Sequence, residues 1–140
     1  MNPPRNIKVS KIATDEIALS LKNVVSELRE GSDIEGAVLI GEKDTIIAYD
    51  LPPGRDYEGE ISEILAMLKG FGGLVQEHDN VMFAQQIFDF NGHKILAKKL
   101  KDQLTLLVLM QKRGYVSLAM LDIENSIRRI HEILGNKQFN

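Results

Sequence analysis

Between Val81 and Lys112 apolar positions concentrate in three runs of roughly eight to ten residues, separated by Asn91-Gly92 and then by the polar corner Lys101-Asp102. The pattern predicts a β-meander. Asn-Gly is the favoured pair for a two-residue type I′ hairpin, because both central residues must accept positive φ and the twist of that turn matches the strands. A turn there sets a register in which Phe90 faces His93, Asp89 faces Lys94, Phe88 faces Ile95, Ile87 faces Leu96 and Phe83 faces Leu100. Cross-strand pairs of this kind contribute about 0.2–1 kcal/mol each. The third run, Leu104 to Met110, does not alternate at all. A strand apolar on both sides has to be covered on both faces, so it is expected at the centre of a sheet with helices above and below.

The rest of the chain supplies those helices. From an N-cap at Thr14 or Asp15, Ile17, Leu21, Val24, Val25 and Leu28 form the stripe of an amphipathic helix, which Gly31 is expected to stop as the C′ residue. The preceding Met1 to Ala13, polar and carrying Pro3-Pro4, reads as a loose arm in which Ile7, Val9 and Ile12 could dock as an edge strand. Ala37 to Ile40 and Thr45 to Tyr49 are short β-prone runs around the turn Gly41-Glu42-Lys43-Asp44, hence a second hairpin. Leu51-Pro52-Pro53-Gly54-Arg55-Asp56 breaks regular structure.

A second helix begins near Tyr57, with Ile61, Ile64, Leu65, Leu68, Phe71 and Val75 on one side. Gly70, Gly72 and Gly73 each cost a helix about 1 kcal/mol relative to alanine. One alternative ends the helix at Lys69, but the apolar phase continues through Phe71 to Val75, so a continuous helix to Glu77 is expected. The glycines then mark a close approach of another backbone, with Met67, Gly70, Gly73 and Leu74 as a dimer face. The last helix follows Gly114 or Tyr115, buries Met120, Ile123, Ile127, Ile130 and Leu134, and is expected to end at Gly135. The order is α-β-β-α-β-β-β-α, an α+β single domain without repeats.

Composition narrows the partners. A net charge of −3 and a pI near 5.6 give no concentrated basic surface for nucleic acid. Cysteine is absent, which excludes disulfides and thiolate chemistry and fits a reducing cytoplasm. No apolar run approaches the ~20 residues that span a bilayer, so no membrane insertion and a cytoplasmic protein are expected.

Candidate chemistry is sparse. His78, His93 and His131 lie far apart without a second ligand at metal spacing, so no metal is expected. Asp56, Glu58, Glu60 and Glu63 could be paired carboxylates, but the first turns of a helix favour negative charge for simpler reasons. Gly70-Phe71-Gly72-Gly73 is not a phosphate loop, since no Gly-Lys-Ser/Thr follows and no strand leads into it. Arg55, Arg113, Arg128 and Arg129 are candidates for an arginine finger, and only Arg55 sits on an obvious loop. Lys94, Lys98, Lys99 and Lys101 read either as edge protection or as a basic strip steering an acidic partner. Neither catalytic residues nor a cofactor are expected.

The order of elements, with IEGAVLIGEKDTIIAYDLP (Ile34 to Pro52) and HKILAKKLKDQLTLLVLM (His93 to Met110), resembles the Roadblock, or dynein light chain, domain. Many relatives carry a glycine in the turn where this chain has Glu42-Lys43-Asp44-Thr45. The resemblance covers about residues 14–135, leaving an N-terminal arm, 1–13, and a tail, 136–140. It implies a five-stranded antiparallel sheet with the middle helix on one face and the terminal helices on the other. It also implies a homodimer, in which the strand containing Val81 and Phe83 pairs with its mate and the middle helices pack antiparallel. Relatives are non-enzymatic scaffolds or regulators, several binding Ras-like small GTPases, so a non-catalytic adaptor is expected. A small-molecule sensor of the PAS or GAF type is the alternative.

Overall fold

The computed structural model describes the backbone of residues 5–54, 57–70, 85–101 and 103–138, and side chains within 16–54, 57–68, 85–101 and 103–135. Its elements are α1 (Arg5–Arg29), β1 (Ile34–Ile40), β2 (Ile46–Asp50), α2 (Tyr57–Gly70), β3 (Gln85–Phe90), β4 (His93–Lys99), β5 (Thr105–Gln111) and α3 (Val116–Gln138), with a 3₁₀ turn at Glu42–Asp44. The strands form one antiparallel sheet in the order β2-β1-β5-β4-β3.

The central position of β5 follows from its sequence. Leu106, Leu107, Val108, Leu109 and Met110 are all at most 2% exposed, and alternate residues enter different layers. Leu106, Val108 and Met110 pack with Leu39 and Leu96 beneath α1 and α3, against Leu21, Val24, Leu28, Ile123 and Ile130. Leu107 and Leu109 join Val38, Ile40 and Ile95 beneath α2, against Tyr57, Ile61, Ile64 and Leu68. The middle helix therefore covers one face and the terminal helices the other.

The β3–β4 register is the one the Asn-Gly turn dictates: Phe90 pairs with His93, Asp89 with Lys94, Phe88 with Ile95 and Ile87 with Leu96. Asn91 and Gly92 both have positive φ, 50° and 83°, as the turn requires. The Phe83–Leu100 pair lies outside the described residues, as does any continuation of the second helix beyond Gly70.

Several boundaries differ from the sequence reading. α1 starts at Arg5, so the backbone of residues 5–13 is helical, neither a loose arm nor an edge strand. No glycine or proline falls between Arg5 and Arg29 to stop it, and a proline just ahead of a first turn is compatible with a helix start. At the other end Gly31 is not the left-handed residue; Asp33 is, with φ 60°. Gly31 instead serves a close approach, since a Cβ there would lie 2.6 Å from Asp122 Oδ2 on α3. α3 continues past Gly135 to Gln138, because glycine stops a helix only where it turns left-handed, and Gly135 does not. β1 begins at Ile34, earlier than Ala37, behind a register shift between Ile34 and Gly36 that broke the apolar alternation. In the first hairpin Lys43 and Asp44 have φ 57° and 60°, left-handed values that glycine adopts without steric cost.

Leu107 supplies a direct test of the doubly covered strand. Leu107→Asp places an unpaired charge where no water reaches, at a cost of several kcal/mol against a total stability of about 5–15. The variant is expected to be unfolded by circular dichroism. A soluble, cooperatively melting Leu107→Asp protein would contradict the central placement of β5.

Candidate functional site

The two edges of the sheet differ in how they are finished. β2 is short and irregular, with a register shift at Leu39/Ile40 that leaves Ile47 without a partner on β1. Lys22 of α1 closes this edge further: its Nζ donates to the Tyr49 carbonyl at 2.6 Å and lies 5.0 Å from the centre of the Tyr49 ring. A bulge and a lysine are both devices that discourage strand addition. β3 has neither among the described residues. It pairs with β4 through six consecutive residues without a shift, and exposed Gln85, Ile87 and Asp89 alternate with half-buried Gln86, Phe88 and Phe90. Phe88 and Phe90 pack at the margin of the α2 layer, and Ile87 stands 43% exposed on the opposite face. Met67, on the helix that covers this layer, is half-buried. Gly70 ends the described part of α2, while Gly73, Leu74, Val81 and Phe83 lie outside the described residues.

The lysines do not form one strip. β4 is an interior strand between β5 and β3, so edge protection does not explain them. The pleat sends Lys94 and Lys98 to the face of Leu96 under α3, and Lys99 to the face of Ala97 under α2. Lys94 donates to the Gly114 carbonyl and Lys98 to Gln85 Oε1, each at 3.4 Å. Lys101 is exposed in the β4–β5 turn, where its N–H donates to His131 Nε2 of α3 at 3.3 Å.

At the end of the sheet where β1 begins, side chains from five segments meet around an open cleft of ≈ 400 Å³ lined by Arg29, Ile34, Glu35, Pro52, Tyr57 and His93. One ion pair and one hydrogen bond border it. Arg29 meets Asp50 at 2.6 Å, joining α1 to β2, and His93 Nδ1 meets Glu35 Oε1 at 2.6 Å, reaching across β5. Burial alone would raise the Asp50 carboxyl. Hydrogen bonds from Ser26 and Arg29, with the charges of Arg29 and Lys22, outweigh it and hold Asp50 below the ordinary carboxylate value. The sequence placed His93 in a turn but gave no sign of Glu35 as its partner, because the two are 58 residues apart. These contacts tie α1 to β2 and β1 to β4 around the cleft.

Glu58 and Glu60 occupy the first turn of α2 as expected. Arg129 is bonded to Glu27 and Arg128 to Asn125, so neither is presented as a finger; Arg113 is exposed, and Arg55 and His78 lie outside the described residues. Among the described residues no group of three or more His, Asp or Glu could hold a metal, and no helix is long and apolar enough to cross a membrane. Sequence reading missed three exposed apolar side chains: Tyr115, just ahead of α3, is 67% exposed, and Leu118 and Leu121 on that helix are 52% and 67% exposed. Their spacing of three was the available signal.

Comparison with known proteins agrees with this architecture. No family model matches the chain and no curated protein matches it. Among solved structures, MglB of Myxococcus xanthus has a TM-score of 0.64 at 14% identity, covering 88% of this chain and 93% of that one. The gliding protein MglB of Thermus thermophilus gives 0.62 at 11%, covering 85% and 91%. A Roadblock/LC7 domain from Streptomyces avermitilis gives 0.61 at 13%, covering 81% and 96%. The fold of this chain is therefore that of a Roadblock/LC7 domain.

The Asp50 seam has a defined pH signature. A carboxylate whose folded pKa is depressed contributes stability above its unfolded pKa, about 3.9, and loses it as pH falls through the folded value. Asp50→Asn is expected to lower the melting temperature at pH 7, by the equivalent of about 1 kcal/mol, and the gap should close as the pH falls below the ordinary carboxylate value of about 3.9. A gap of constant size would show that the carboxylate's charge is not what holds the seam.

Proposed function

We propose that this chain is a non-catalytic, homodimeric adaptor or regulator that binds a Ras-like small GTPase or another protein partner. The observation that carries the reading is the asymmetry of the sheet: β2 is blocked by a bulge and Lys22, whereas β3 ends the sheet as a regular strand with two aromatic residues at its margin. A regular edge of that kind is a template for a second strand. The likeness to MglB and to a Roadblock/LC7 domain supports a regulator of the same general kind, and the implied homodimer uses this edge together with the middle helix. Met67, Gly70, Gly73 and Leu74 would face the mate's helix, with Val81 and Phe83 on the pairing strand. Lys94 and Lys98, on one face, are the better-placed pair for steering an acidic partner.

The sensor alternative has less support. Such a domain encloses its ligand between sheet and helices, and here both layers are filled with aliphatic side chains.

Light scattering on a sizing column is expected to give about twice the 15.7 kDa chain mass. Val81→Lys with Phe83→Lys should return a folded protein of chain mass. The dimer is then expected to bind at least one GTP-loaded Ras-like GTPase from its own organism in a purified panel. A monomer at every concentration would overturn the dimer, and silence across the whole panel would overturn the GTPase assignment.

A further inference from the structure

β2 ends the sheet on the side away from β3, and its sequence is of the kind that adds to another strand. Thr45-Ile46-Ile47-Ala48-Tyr49 carries no charge, proline or glycine and is rich in β-branched and aromatic side chains, the composition of a segment that pairs with copies of itself. The fold does not hide it. Ile46, Ile47 and Tyr49 are 37%, 36% and 52% exposed. The register shift disturbs only the Ile46–Ile47 end, while Ala48, Tyr49 and Asp50 pair with consecutive residues of β1.

The regular half of this edge is held by α1. Lys22 and Arg29 are seven residues, about two turns, apart, so they lie on one side of the helix, and they reach consecutive residues of β2. Lys22 Nζ donates to the Tyr49 carbonyl at 2.6 Å and stands 5.0 Å from the centre of the Tyr49 ring. Arg29 Nη1 meets the Asp50 carboxylate at 2.6 Å. The two contacts differ in kind, because Arg29 is bonded to a side chain whereas Lys22 sits on a main-chain acceptor of the edge strand. A strand arriving there would have to displace the ammonium and bury it without a partner, which is unfavourable however well the side chains fit.

We propose that Lys22 is an autoinhibitory contact that masks a self-pairing strand, and that the strand it keeps away is β2 of a second copy, running antiparallel. The occupant follows from the segment: an uncharged, β-branched edge is matched by an identical one, and two such edges related by a two-fold axis satisfy each other reciprocally. The charge of Lys22, rather than its hydrogen bond, is the mask, because a neutral donor can be displaced without leaving a buried ion. None of this depends on the β3 dimer. In a chain whose β3 edge is blocked, unmasked β2 gives a closed pair. In a β3 dimer, which carries β2 at both ends of its sheet, it gives an open row.

Sedimentation velocity of the full chain over a wide concentration range, with and without Val81→Lys and Phe83→Lys, tests the mask. Lys22→Arg should behave as wild type. Lys22→Ala and Lys22→Gln should associate at concentrations about tenfold or more below any at which wild type does, to a pair when β3 is blocked and to a longer series when it is not. Adding Ile47→Lys, a charge on the same edge, should return both variants to wild-type mass. Circular dichroism melts should stay close to wild type, showing that the folded chain associates; Lys22→Gln, which keeps the stem and an N–H donor, decides the matter if Lys22→Ala is unfolded. Masses of Lys22→Gln identical to wild type at every concentration, equal association in Lys22→Arg and Lys22→Gln, or association that persists with Ile47→Lys would each overturn the proposal. Unfolding of Lys22→Gln where Lys22→Arg folds would overturn it too, by making the lysine a structural pin.

Discussion

Everything in this molecule depends on keeping one strand dry on both faces. Residues Leu106 to Met110 are buried whether they point to α1 and α3 or to α2, and their backbone is paired on both sides, to β1 and to β4. Removing five large side chains from water while satisfying every ladder hydrogen bond is possible only inside a sheet with helices on both faces. Once β5 is fixed there, α1 with α3 and α2 must divide the two faces between them. Polar seams follow at the margins, with Arg29–Asp50, Glu35–His93 and Glu27–Arg129 each tying together elements distant in sequence.

The same requirement runs out at the ends of the sheet, and there the chain becomes selective. β2 is finished within the chain, by a bulge and by the ammonium of Lys22 on an edge carbonyl. β3 carries partly open aromatic residues at the margin of the α2 layer and keeps a regular ladder to its last described residue.

Much of the architecture was legible in the residues. Asn91-Gly92 alone determined the β3–β4 register, because only one turn type suits that pair and a one-residue slip would reverse both faces. The unbroken run of Leu104 to Met110 announced a central strand. Less legible were features that depend on residues far apart. Nothing near Gly31 says that Asp122 will sit against it, so the glycine read as a cap when its purpose is close packing. The lysines of β4 looked like an edge guard because their strand's neighbours cannot be counted from one segment. The Glu35–His93 pair was invisible because 58 residues separate its partners, whereas Leu118 and Leu121 were legible from their spacing but lie off the buried face that apolar periodicity picks out.

Hydrogen exchange at low and high protein concentration addresses the central claim, that β5 is satisfied within the chain while β3 is completed by another. Amides of Leu106 to Met110 should exchange most slowly, at a rate independent of concentration, because they open only with the whole domain. Amides of Gln85 to Phe90 should become more protected as concentration rises. Protection of β3 that does not change with concentration, or exchange in β5 as fast as in β2, would contradict the account.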